Sequence, residues 1–343
     1  MNIAKRILCA FMCAISALSL AGCELDSMYS GSGKRPPSGS TGAANGATAG
    51  DDDASEGSGL GEAYDFEYDM LAYFLDVGQA DCCLIEIGDL DILIDGGNRG
   101  DSGDIIAFLE YLDIPDIDIV IATHPHEDHI GGLPDILDRF DVSAVYMPYV
   151  EERYMPTTKI YERFLTAIME NGVEAIVPEE GEILCDYGGF RLECLYGGGL
   201  GTDDYNTYSI VCRAVYGETE IMLTGDADRE VESYILSKYS VDRLDCDILK
   251  AGHHGSRTAS GDEWLAAVSP EIAVIPCEAG NSYGHPHAET IVALDGVGAD
   301  ILDMRKKGTV LIQSDGSEYS VFTNLTGDYP LGSDDYDGII RLP

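Results

Sequence analysis

Short apolar runs broken by Gly, Asp, Asn and Pro fill most of the chain from residue 64 to residue 325. Runs of this kind predict strands. They fall at Met70–Val77, Cys82–Ile87, Asp91–Ile94, Ile117–Ala122, Ala144–Met147, Glu174–Val177, Phe190–Leu195, Ile210–Val215, Glu220–Thr224, Ile248–Lys250, Ile272–Ile275, Thr309–Gln313 and Glu318–Phe322. Between them, apolar residues recurring at helical spacing predict helices over Ile105–Leu112, Leu133–Phe140, Lys159–Asn171, Arg229–Tyr239, Glu263–Val268 and Ala288–Leu294. Strands dominate, and helices interrupt them in both halves. That order predicts an α/β protein with two sheets stacked face to face and helices outside, or an open α/β sheet.

The ends of the chain read differently. Lys5 and Arg6 precede an apolar stretch, Ile7–Leu18, that is too short to span a bilayer. Leu20-Ala21-Gly22-Cys23 follows. This resembles the bacterial lipoprotein signal and its lipobox. The resemblance implies cleavage before Cys23, lipidation of its sulfur, export, and attachment to the cell membrane from the extracytoplasmic side. Residues 1–22 are then a signal peptide. Residues 23–63, rich in Gly, Ser, Ala and Asp, offer little to bury and are expected to form a flexible tether. Residues 64–325 are long enough for one sizeable core. Residues 326–343 form an acidic, Gly-containing tail.

Charge narrows the partners. Against 62 Asp and Glu stand only 20 Lys and Arg, a formal net charge of −42. Such a surface repels polyanions and opposes tight nonspecific nucleic-acid binding. Lys250, Arg257, Arg305, Lys306 and Lys307 could make a local basic spot. Of ten cysteines, Cys9 and Cys13 leave with the signal and Cys23 is the lipidation site. The odd number remaining, in mostly apolar runs, favours buried thiols over a disulfide framework, and no C-x-x-C pattern suggests a zinc knuckle.

The candidate chemistry is densest at Thr123-His124-Pro125-His126-Glu127-Asp128-His129, directly after a predicted strand. Three of the seven histidines and an aspartate fall within six positions. Imidazoles with a carboxylate suit zinc and related ions, and the added carboxylate allows a second ion beside the first. Alternation along an extended loop turns His124 and His126 to the same side. Asp128 and His129, where the chain bends, can face the second ion.

Further segments complete a pattern: Asp76-Val77-Gly78-Gln79-Ala80-Asp81, Leu93-Ile94-Asp95-Gly96-Gly97, Leu223-Thr224-Gly225-Asp226-Ala227, Leu249-Lys250-Ala251-Gly252-His253-His254-Gly255-Ser256 and Asn281-Ser282-Tyr283-Gly284-His285-Pro286-His287. Together with the histidine cluster they resemble the metallo-β-lactamase superfamily. Within it they are most similar to the C-terminal metallo-β-lactamase-like domain of the DNA-uptake competence channel protein. The resemblance covers essentially the whole globular region. It implies a four-layer αβ/βα sandwich with a metal site at one edge, two divalent ions (Zn or Mn), and hydrolysis of a phosphodiester. The membrane segments of the channel protein are not in this sequence, so a free-standing tethered relative is expected.

Each piece carries its own chemistry. Asp226, in a Gly-Asp turn after an apolar run, can bridge two cations with its two oxygens, and the family places the bridging ligand here; the other reading is a helix N-cap, for which Asp228 is the better candidate. The family places one more histidine ligand at His253 or His254. Neighbours on a strand face opposite ways, so one is expected to bind metal, with His254 favoured. Asp95 is positioned to accept the outer N–H of a metal-bound imidazole, while Asp81 reads as structural. Asp128 and His285 are the candidate catalytic groups, His285 as a donor to substrate or leaving oxygen. His287 reads equally well as a surface histidine. Ser256 and Asn206 are candidate substrate contacts.

One departure stands out. No histidine lies between His129 and His253, where many superfamily hydrolases place a further ligand. An oxygen from the Asp203–Ser209 segment could fill that place, which makes the first site oxygen-rich and favours manganese as a rival to zinc. The expected function is an extracytoplasmic, membrane-tethered phosphodiesterase or nuclease acting on DNA or a cell-envelope polymer. The alternatives are a metal-dependent hydrolase of a β-lactam, lactone or thioester, and a non-catalytic surface binding protein.

Overall fold

The computed structural model describes residues 69–324 apart from residue 200. The expected signal peptide, Cys23, the expected tether and the acidic tail lie outside the described residues.

The first half contains β1 (Met70–Phe74), β2 (Cys83–Ile87), β3 (Leu90–Ile94), α1 (Ser102–Tyr111), β4 (Ile117–Ile121), α2 (Glu127–Ile130), α3 (Leu133–Arg139), β5 (Val142–Tyr146), α4 (Lys159–Asn171) and β6 (Glu174–Ile176). The second contains β7 (Ile183–Tyr187), β8 (Phe190–Tyr196), β9 (Val211–Tyr216), β10 (Thr219–Leu223), α5 (Arg229–Lys238), β11 (Ile248–Lys250), α6 (Asp262–Val268), β12 (Ile272–Ile275), α7 (Ala288–Gly296), β13 (Asp300–Asp303), α8 (Met304–Lys307), β14 (Thr309–Ser314) and β15 (Tyr319–Asn324). Two mixed sheets result. One has the order β15-β14-β1-β2-β3-β4-β5-β6, the other β13-β12-β11-β10-β9-β8-β7.

Period-two alternation explains the layering. On β2, Cys83, Ile85 and Ile87 enter the core between the sheets, where they join Cys212, Ala214, Ile221, Leu223, Ile248 and Val274 of the second sheet. The intervening residues face helices. Tyr73 of β1 meets Phe108 of α1 edge-on at 5.3 Å, and Met222, Leu249 and Ala273 pack with Val231, Ile235, Trp264 and Leu265 of α5 and α6. The arrangement is the four-layer αβ/βα sandwich, not the open sheet.

Helix α4 matches its expected span. Thr158 caps it, accepting from Tyr161 N at 3.3 Å, and Gly172 ends it in the left-handed region. Strands β7 and β13 escaped the pattern reading, because Asp and Tyr interrupt the apolar positions of one and Asp brackets the other. All seven described cysteines are free, six of them buried. No helix among the described residues is long and apolar enough to cross a membrane.

The parallel pairs β3–β4–β5 and β10–β11–β12 align the carboxyl ends of their strands. The loops carrying Asp95, the histidine cluster, Asp226, His253-His254 and His285 leave from those ends, while the segments carrying Asp81 and Asn206 follow β1 and β8.

Candidate metal centre

Five strand ends supply the site: β3 delivers Asp95, β4 leads into Thr123–His129, β10 into Gly225-Asp226, β11 into His253-His254, and β12 into Pro276. Three donor clusters form among the described residues, and two of them meet at one residue. Asp128, His129, Asp226 and His254 have one ligand atom each mutually within 4.8 Å, and so do His124, His126 and Asp226. Asp226 belongs to both. Its Oδ2 lies 3.9 Å from His124 Nε2 and 3.5 Å from His254 Nε2, and its Oδ1 lies 3.3 Å from His129 Nε2.

Outer hydrogen bonds aim the imidazoles. His129 Nδ1 donates to Asp95 Oδ2 at 2.7 Å. Asp95 also accepts from Thr123 N at 2.8 Å and Thr123 Oγ1 at 2.7 Å. With its proton committed to Asp95, Thr123 Oγ1 accepts from His124 Nδ1 at 3.2 Å. His254 Nδ1 donates to Pro276 O at 3.0 Å. Three rings therefore turn an Nε2 lone pair toward Asp226. His126, which precedes the first turn of α2, places its Nδ1 2.9 Å from His124 Nε2.

This donor set fits divalent ions. His129 Nε2 and Asp226 Oδ1 are both buried and both lack a hydrogen-bond partner. Two facing lone pairs at 3.3 Å require a proton or a cation between them. Electrostatics among the protein groups alone agrees. Burial opposes charge on His129, yet Asp226, Asp95, Asp81 and Asp128 hold it well above the ordinary histidine range. Burial likewise opposes charge on His254, but Asp226 and Asp81 push it up to about 10. Burial would raise Asp226, but His254 and His129 hold it well below the carboxylate range. The four-donor cluster thus favours positive charge, whereas burial holds His124 well below the ordinary histidine range and lowers His126 as well.

The two clusters that share Asp226 are unequal. One offers four donors and the other three. Among the residues expected to fill the gap, Asp204 instead caps the turn Tyr205–Tyr208, accepting from Asn206 N at 3.0 Å. Asn206 leaves its Oδ1 buried without a partner, and its Nδ2 lies 3.4 Å from His253 Nδ1.

Strand alternation, from which just one of His253 and His254 is expected to face the metals, does not apply here. Both sit in a tight turn with left-handed backbone, at φ 49° and 52°. His254 joins the four-donor cluster. His253 faces the site as well, its Nε2 3.7 Å from Asp226 Oδ2, at the exposed side. Asp228, not Asp226, caps α5, accepting from Glu230 N and Val231 N.

His285 packs against His253, His254 and His287, with ring centroids 5.5, 6.3 and 4.9 Å away. Burial and the neighbouring His253 and His254 push it down to about 4. It is therefore a neutral hydrogen-bond donor rather than a charged acid. Gln79 Nε2 donates to its Nδ1 at 3.3 Å, which leaves the ring proton on Nε2. Glu278 N donates to Gln79 Oε1 at 3.4 Å and sets the amide orientation.

Ser256, a candidate substrate contact, and Arg257, part of the expected basic spot, meet competing partners. Ser256 Oγ is 3.0 Å from Thr258 Oγ1 within its own loop, and Arg257 pairs with Glu289. The expected basic spot does not form: Arg305 and Lys306 both pair with Asp303, and Lys250 is buried in the site. Sequence reasoning missed Thr123, Gln79 and Lys250 as site residues, although all three lie inside the motifs quoted above. It also undervalued Asp81, which pairs with Lys250 and approaches His254 Nδ1 to 3.3 Å.

A prediction follows for Asp95. Asp95→Asn removes the charged acceptor that fixes the His129 ring and tautomer. Metal affinity is expected to fall about 10- to 100-fold, read by titration of the chelator-stripped protein. An affinity equal to wild type would mean that Asp95 only braces the turn.

Comparisons with known proteins agree with this geometry. The family model of the metallo-beta-lactamase superfamily matches residues 75–279. ComE operon protein 3 of Bacillus subtilis is 28% identical over 206 residues, covering 60% of this chain and 26% of that protein. Competence protein ComA of Neisseria gonorrhoeae is 28% identical over 220 residues, 62% of this chain and 27% of that one. Ribonuclease J of Mycoplasma pneumoniae is 39% identical over 74 residues, 19% of this chain and 13% of that one. The chain spans only about a quarter of the length of the two competence relatives.

Proposed function

The chain belongs to the metallo-beta-lactamase superfamily of metal-dependent hydrolases, and from that premise we propose that it is a phosphodiesterase or nuclease. The carrying observation is that Asp226 is shared by two donor clusters. Paired ions clamp the attacking and leaving oxygens of an in-line displacement at phosphorus, the geometry common to phosphatases and nucleases. The names of the relatives lean the same way: one is a ribonuclease and one a competence protein.

The roles follow from position. Asp128, His129, His254 and Asp226 would hold one ion, and His124, His126 and Asp226 the other. When bound, such ions acidify water and offset charge on the phosphoryl oxygens. Asp95, Thr123 and Pro276 O keep the imidazoles aimed. Neutral His285, its tautomer set by Gln79, donates a hydrogen bond to substrate or to the leaving oxygen. Tyr283, 67% exposed, stacks on His285 with centroids 5.5 Å apart, and presents a face on which a base or sugar can rest.

We also place the domain outside the cytoplasm, held to the membrane by lipid on Cys23 and the 23–63 tether. The support is the sequence of residues 1–63. In that setting the substrate is DNA or an anionic cell-envelope polymer.

The test is reactivation. Protein stripped by a chelator is expected to regain hydrolysis of bis-p-nitrophenyl phosphate on addition of Mn²⁺ or Zn²⁺. A folded, reloaded protein that leaves the diester intact but opens a lactone or thioester would overturn the proposal. Single-stranded DNA, compared at low and high salt, then separates substrates. With net charge −42, DNA cleavage should improve as salt screens repulsion, while the small diester responds weakly.

A further inference from the structure

Among the described residues, Lys250 is the one buried lysine or arginine, 4% exposed at the end of β11. Its Nζ donates to Gly225 O at 2.6 Å, pairs with Asp81, and lies 3.7 Å from Asp226 Oδ1. It thus grips the peptide carbonyl just before Asp226 and faces one oxygen of Asp226 itself. A further donor group, Asp81, Asp95 and His129, also closes within 4.8 Å. That group already contains a cation, because Lys250 sits on Asp81.

A buried ammonium is costly unless carboxylates surround it. Here one of the surrounding carboxylates, Asp226, would also serve the metal ions, and the other, Asp81, stands beside His254. Lys250 therefore counts against the same negative charge as those ions do, but it cannot exchange. We propose that Lys250 is a resident cation of the metal centre. It holds Asp81 and Asp226 together when exchangeable ions leave, and it limits how tightly those ions bind. The inference rests on the metal-centre reading and adds a residue that tunes it. Lys250 is a positioning residue: it acts through Asp226 and Asp81 and is not a ligand.

The test uses Lys250→Met and Lys250→Gln in the full chain, the second keeping a donor for Gly225 O. Affinity is read for Mn²⁺ from the electron paramagnetic resonance signal of the free ion, and for Zn²⁺ by competition with a chromophoric chelator. Loss of one positive charge beside a shared ligand is expected to tighten binding about tenfold or more. Melting of the stripped variants should fall well below stripped wild type, and metal should restore it, since an ion can take the place of the ammonium. Damage to a merely structural strut cannot increase affinity, so the gain is diagnostic. Unchanged or weaker binding by folded variants overturns the proposal and leaves the metal-centre reading intact. Variants that stay unfolded even with saturating metal overturn it too, because they make Lys250 a strut that no ion replaces. Wild type that binds neither ion overturns both.

Discussion

Asp226→Ala is expected to lower turnover about a thousandfold or more, a loss of roughly 4 kcal/mol of transition-state stabilisation. The size follows from the shared position. In the two clusters proposed to hold ions, each other ligand serves one, whereas Asp226 serves both. Its removal leaves His124 and His126 alone on one side, and Asp128, His129 and His254 on the other. Bound metal measured by elemental analysis should drop at both sites together. Asp128→Ala should empty mainly the four-donor site, and His126→Ala mainly the three-donor site. The fold should survive, because the Asp226 side chain caps no helix and its backbone N–H still reaches Ser209 Oγ at 3.1 Å. Wild-type turnover or wild-type metal content in Asp226→Ala would refute the shared-ligand role.

How much of this was legible depends on sequence distance. Six adjacent positions, 124–129, carry four of the donors, and they are read at once because they are neighbours in sequence. Asp95, Asp226 and His254 were legible as strand-end residues in glycine-containing turns. What packs against them from far away was not. Lys250 looks like an ordinary charge after an apolar run until β10 and β11 pair and Asp81 arrives from the β1–β2 connection. Gln79 acquires meaning only when the His285 loop closes over it. The basic spot was a sum over cations without their partners, and the fold pairs Lys250, Arg305 and Arg257 with Asp81, Asp303 and Glu289. Local geometry also misled once: His253 and His254 were argued as strand residues, but the turn after β11 takes both into left-handed backbone, so alternation does not apply.

Gly131 and Gly132, which follow the histidine cluster, stand where only a residue without a side chain fits. A Cβ on Gly132 would stand 2.2 Å from Gly96 O, and one on Gly131 would stand 2.3 Å from Arg99 N. The loop that follows Asp95 therefore presses its backbone directly on the junction of α2 and α3. Hydrogen bonds lace the two together: Gly96 N donates to His129 O at 2.7 Å, and Gly132 N donates to Gly97 O at 3.3 Å. The contact fixes the register between Asp95 and the His129 ring it orients. Gly132→Ala is expected to destabilise the domain by about 3 kcal/mol, since the obstructing atom is backbone and cannot rotate away. It should also weaken metal binding in the manner of Asp95→Asn, because the loop must back off from α2. Gly103→Ala is the matched control. Gly103 is exposed in the first turn of α1, with nothing within 4 Å of its would-be Cβ, so the same added methyl should be neutral or stabilise by up to about 1 kcal/mol. Urea unfolding with and without metal reads both effects. Equal midpoints for Gly132→Ala and wild type would mean that the loop has slack, and the two glycines would then need another explanation than close approach.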